Sequence, residues 1–422
     1  MTSKERVLAA INHKQPDRTP IDIGSAYNTG ISVSALYRLR DYLGLPEKDI
    51  TVYETMQMLG YVDEDVRKAL GGDVVALNEP IDFVGVPLRG ETQPFTMPDG
   101  TPTRIHRQHQ YDVQSDGKIY LYPQGNRSVK PSAVMPAGGY FWDCIHRAAP
   151  FDEDDLTPEA DFKNMFIDYS DESLRYFETE AKRLDEESGC AVMGLFGKGS
   201  IGDPSSLPGP SELQPKGIRN FQDWSMAQLL YPEYCRAVFE MQTEYVLRNL
   251  KLYHQAVGDH IQIVVMSGTD FGTQNGLMIS KNMFQNLYKP YYTRMNQWVH
   301  AHTKWKVFFH SCGSIMEILD DFVEMGVDII NPVQLSAKGM DPAILKEKYG
   351  DKLVFWGGGV DTQDLLPNGT PEQIRAQVQQ RLRILASGGG YVFNTIHNIM
   401  GDVRPENIMA AFDAAREWQD ES

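Results

Sequence analysis

Cysteine is scarce: four residues (Cys144, Cys190, Cys235, Cys312) scattered over 422 positions, a spacing that argues against a disulfide framework and fits a reducing compartment. Long apolar runs are missing too. Nothing approaches the roughly 18 continuous apolar residues of a membrane span, and the opening stretch MTSKERVL lacks the apolar core of a signal peptide. Dense Lys/Arg runs are absent, and the net charge is −17. Such a chain repels phosphate backbones, which makes nucleic acid an unsuitable partner. Low-complexity tracts and internal repeats are also lacking. These absences describe a cytoplasmic protein with neither a membrane nor a nucleic-acid role. Hydrophobic residues at 41% and charged residues at 23% suit a large-cored soluble enzyme.

The pattern that is present alternates strand and helix. Thr2 and Glu5 form a capping box ahead of Val7, Leu8 and Ile11. Pro20 to Gly24 and Asp73 to Leu77 read as the first two strands. Further apolar runs lie at Ala191–Phe196, Ile261–Met266, Lys306–Phe309, Val327–Asn331, Leu353–Trp356 and Tyr391–Phe393. One intervening helix opens at Thr370-Pro371-Glu372-Gln373, with a cap and a proline at its first position, and closes at Gly388-Gly389-Gly390. Eight such units predict a parallel α/β sheet closed as a (β/α)8 TIM barrel spanning residues 1–422 as one domain. An open doubly wound sheet fits less well, because no Gly-x-Gly-x-x-Gly follows the first strand. Turn signals at Pro98-Asp99-Gly100 and Ser115-Asp116-Gly117 predict a β-hairpin insertion in an N-terminal loop, at about 84–145.

The sharpest chemical signal is Phe309-His310-Ser311-Cys312-Gly313. Residues i and i+2 of a strand point the same way, so His310 and Cys312 can approach one ion. They follow a strand, at the barrel face where active sites lie. His397 follows the last strand at that same face. One thiolate and two imidazoles suit Zn²⁺ and leave the open position of a catalytic site. The plainer alternative is a satisfied core histidine, a buried thiol and a loop histidine. Asp270, Gln334 and Asp361 also follow strands and should line this face, Asp270 and Gln334 as catalytic candidates and Asp361 as a substrate contact. A loop cap is the plainer role for such an Asp. Tyr140 and Trp142, in an aromatic loop after the insertion, are candidates to shape a substrate pocket.

Several of these segments resemble the uroporphyrinogen-decarboxylase superfamily. They are Arg6 to Ile11 with Pro16-Asp17-Arg18-Thr19-Pro20, Asp270 to Gln274 with Lys289-Pro290-Tyr291, His310 to Ser314, Gly357 to Asp361, and Gly389 through His397-Asn398-Ile399 to Asn407, in family order. The His-x-Cys pair resembles the zinc-containing, cobamide-dependent methyltransferase branch, such as methylcobalamin:coenzyme M methyltransferases. His397 stands about where that branch has a second Cys. The resemblance implies a zinc-dependent methyltransferase that exchanges a methyl group between a small molecule (a methylated oxygen or nitrogen compound, a thiol or a folate) and a separate corrinoid protein, and often a homodimer. Zinc would activate a thiol toward a methylated corrinoid, or polarise the leaving atom of a methylated substrate. The other branch, the metal-free uroporphyrinogen decarboxylases of tetrapyrrole biosynthesis, resembles the chain less. Lys14 to Thr19 lacks the paired arginines that hold substrate carboxylates there.

Overall fold

Seven of the apolar runs become one parallel sheet in the computed structural model, which describes residues 1–418. In chain order the strands are β1 (Val74–Leu77), β2 (Ala191–Gly194), β3 (Ile263–Ser267), β4 (Lys306–His310), β5 (Ile329–Asn331), β6 (Val354–Trp356) and β7 (Tyr391–Val392), each hydrogen-bonded to the next. Side chains alternate across this sheet. Val74, Met193, Ile263, Val265, Phe308, Ile329, Val354, Trp356 and Val392 form one buried cluster, joined by Val7, Ala10 and Ile11 of the helix Ser3–Ile11. Their neighbours Leu77, Val192, Val264, Phe309, Ile330 and Phe355 join a second cluster with the outer helices. This period of two, apolar on both faces, marks a strand covered on both sides. The N-terminal helix lies below the sheet, with the Gly390 amide donating to Ala10 O at the foot of β7.

The segment expected as the first strand is reduced to a single bridge, Ile21 to Phe393. It still links the two sheet edges. Phe393 N donates to Pro20 O and Asp22 N to Phe393 O on one side, and Asp73 N donates to Ile21 O on the other. Asp73 stiffens the junction from a fully buried position: its carboxylate accepts from Ile21 N, from Arg6 and from Arg18. The result is a TIM-barrel-like α/β architecture with its eighth position held by one bridge and two arginines. Both expected capping boxes, Thr2/Glu5 and Thr370/Gln373, are present.

The expected hairpin insertion is replaced by something larger. Ile50–Glu54, Leu59–Gly60, Thr92–Thr96 and Pro102–His106 make one four-stranded sheet. Tyr111–Val113, Ile119–Leu121, Ala133–Met135 and Asp143–Cys144 make an antiparallel meander. Both turn signals join antiparallel strands as read. The first sheet, however, depends on Ile50 pairing in parallel with Thr103, a contact about which local patterning says nothing. Among the described residues, no helix is long and apolar enough to cross a membrane.

Candidate metal centre

β4 ends on His310 and β5 on Asn331, which are partners in the ladder. This register sets the first polar contact of the site. His310 Nδ1 lies 2.6 Å from Asn331 Oδ1, while Asn331 Nδ2 donates to Trp356 O at 2.9 Å. The second bond fixes the amide, so its oxygen faces the imidazole. Nδ1 of His310 must therefore carry the proton, and Nε2 presents its lone pair to the barrel mouth.

Three residues meet there. His310 Nε2 lies 3.3 Å from Cys312 Sγ, and one ligand atom from each of His310, Cys312 and His397 lies within 4.8 Å of the others. Asp270 Oδ1 sits 3.6 Å from His310 Nε2 and accepts the Cys312 amide at 2.7 Å. Burial, with His310 as a neighbour, pushes the His397 pKa down to about 3, so its imidazole is neutral and its lone pair free at physiological pH. Burial and the Asp270 carboxylate push the Cys312 thiol well above its ordinary range. A thiol so placed ionises only beside a cation. Lone pairs converging with so few protons among them make a donor set that fits a soft divalent ion such as zinc.

The loops carrying these groups are locked together through backbone. Phe271 N donates to Ser311 Oγ, and Ser314 N donates to Thr273 O. A Cβ on Gly313, whose φ is +86°, would lie 2.4 Å from the Gly272 carbonyl carbon, and one on Gly272 would lie 2.6 Å from Cys312 O. Only glycine permits this approach. On the far side, Asn398 accepts from Gly30 N and donates to Tyr27 O and Gln57 Oε1, which anchors the loop bearing His397.

The remaining sequence candidates separate. Gln334 Oε1 accepts the Gly313 amide at 2.7 Å, so it buttresses the Cys312 loop. Asp361 takes the amides of Gln363, Asp364 and Leu365, the loop-cap arrangement. Trp142 is buried in the insertion with its N–H toward Met58 Sδ, while Tyr140 packs on Gly401, four residues beyond His397. Asn331, Asn398 and the Trp356–Asp22 hydrogen bond went unread in the sequence. An Asn ending the strand beside His310 was the one available signal.

Residues 212–418 match the family uroporphyrinogen decarboxylase (URO-D). The chain carries a URO-D family domain. It contains Asp270, His310, Cys312, Gln334, Asp361 and His397, and leaves Tyr140 and Trp142 outside. Part of the chain is 35% identical over 96 residues to the uroporphyrinogen decarboxylase of Pseudoalteromonas translucida (strain TAC 125), covering 22% of this chain and 26% of that protein. Another match is 40% identical over 78 residues to the uroporphyrinogen decarboxylase of Psychromonas ingrahamii, covering 18% and 21%. The matched stretches thus span about a quarter of these relatives or less. A solved methyltransferase from Methanosarcina mazei superposes over 99% of both chains with a TM-score of 0.55 at 15% identity, a likeness of fold.

Proposed function

We propose that this URO-D-type chain is a zinc-dependent methyltransferase that moves a methyl group between a small substrate and a corrinoid held by a separate protein. On this reading the whole chain acts as one barrel domain and pairs as a homodimer. The observation that carries the reading is the convergence of His310, Cys312 and His397 on one point, with the His310 tautomer set by Asn331. Zinc bound there supplies Lewis acidity to a substrate heteroatom. The chain's own groups do the rest. His310 and His397 offer ring nitrogens, and Cys312 offers a sulfur that ionises against positive charge. Asp270 holds the Cys312 amide and stands ready to accept a proton or to complete the coordination. Gln334 holds the loop in register, and Asp361 and Tyr140 shape the rim.

Purified protein is expected to contain close to one zinc per chain. His310→Ala and Cys312→Ser should each lose most of it, since a three-ligand site cannot spare one ligand. Full occupancy in both variants, by elemental analysis, would exclude these ligands.

The named curated relatives favour a second reading, a decarboxylase of uroporphyrinogen. The arginines near the start of the chain are already engaged: Arg6 pairs with Asp17 and Asp73, and Arg18 with Asp73. They leave no cationic clamp for a polycarboxylate. Incubation with uroporphyrinogen should therefore release no CO2; steady coproporphyrinogen formation would establish the second reading instead.

A further inference from the structure

A cavity of about 310 Å³ opens beside the metal centre, with Asp270 in its wall. The helix Phe221–Leu230 forms one side, and the segment after β3 that carries Phe271 and Met278 forms another. Polar residues share this helix (Gln222, Asp223, Ser225 and Gln228), but four of its apolar side chains face solvent. Phe221, Met226, Leu229 and Leu230 are 49%, 51%, 70% and 60% exposed, and Met278 across the opening is 39% exposed. Single exposed apolar residues are ordinary, but Phe221, Leu229 and Met278 line the cavity together, and such a group at a cavity's lip marks a binding site.

Polar groups in the wall are only half used. Tyr288 donates to Gln228 Oε1 at 2.8 Å, which orients the amide and leaves its NH2 with no acceptor among the described residues. Gln228 is 7% exposed and lines the cavity. The Trp224 indole N–H, 1% exposed on the same wall, is directed at the Tyr288 hydroxyl, short of hydrogen-bonding geometry. The Gln228 NH2 is thus a donor open to the cavity, and a ligand atom that accepts from it gains a fixed partner.

We infer that this cavity binds a small apolar molecule, ring-sized and carrying an acceptor atom, with Leu229, Phe271 and Met278 against its hydrocarbon and the Gln228 NH2 against its acceptor. The volume suits this occupant: an apolar cavity of about 150 Å³ already holds benzene, so 310 Å³ holds a substituted ring. Asp270 links the two sites, since it lies in the cavity wall and also contacts the Cys312 amide. Assigning the cavity to the methyl-transfer substrate rests on the function proposed above; the binding itself does not.

The test is calorimetric titration of the full chain with p-cresol and with toluene, alongside zinc analysis of every sample. Wild type should bind p-cresol more tightly than toluene. Leu229→Asp, at an exposed position, should weaken both about tenfold with zinc content unchanged. Gln228→Glu keeps the acceptor for Tyr288 and removes the free NH2, so it should bring the preference for p-cresol close to one. Equal affinities in wild type and Leu229→Asp would overturn the pocket. So would a dimer that Leu229→Asp dissociates without any probe binding, which would give this face to self-association. Loss of zinc from wild type with probe binding intact would instead strike the metal reading alone.

Discussion

Asn331 never touches the point where the three donors meet, yet it decides which nitrogen of His310 is free. A hydrogen bond behind a metal-binding imidazole fixes both its tautomer and its orientation. Asn331→Leu removes the acceptor at similar volume and should weaken zinc binding about 10- to 100-fold, measured by competition with a chromophoric chelator while circular dichroism reports an intact fold. Unchanged affinity would show that the tautomer is set elsewhere. His310, Cys312 and His397 were legible in the sequence because strand parity and barrel position place them with no knowledge of other contacts. Asn331 was not, because its role depends on the register between β4 and β5, and an Asn closing a strand has many plainer uses. Trp142 and Asp361 show a different limit: an aromatic loop and an Asp after glycines do not announce that the indole will be buried or that the carboxylate will cap its own turn.

At the scale of elements, the weak point is the seam between β7 and β1. One bridge from Ile21 spans it, and the Asp73 carboxylate gathers Ile21, Arg6 and Arg18 there. Removing one partner from a buried ionic cluster leaves charge uncompensated. Asp73→Ala should therefore lower unfolding stability by about 3 kcal/mol, read from urea denaturation. A loss below roughly 1 kcal/mol, the usual size for an exposed pair, would mean the seam is held by packing alone. The barrel strands were readable because each is a short apolar run between turn signals. The two inserted sheets were only partly so. Their strands are short, and the pairing of Ile50 with Thr103 joins segments about which local sequence is silent.

The whole molecule carries a net charge of −17, and its mouth combines a soft donor set with an apolar cavity beside it. That combination suits a neutral or apolar methyl carrier better than a polyanion. The most direct measurement is the visible spectrum of free cobalamin mixed with the zinc-loaded protein. Supplied as cobalt(I), the cobalamin should gain a methyl group from a methylated oxygen or nitrogen compound; supplied as methylcobalamin, it should lose one to a thiol or a folate. Either change is seen by absorbance. The rate should collapse in Cys312→Ser, and His397→Cys should retain part of it, because sulfur replaces nitrogen as a zinc ligand. With zinc demonstrably bound, an unchanged spectrum across a broad panel of donors and acceptors would contradict the account.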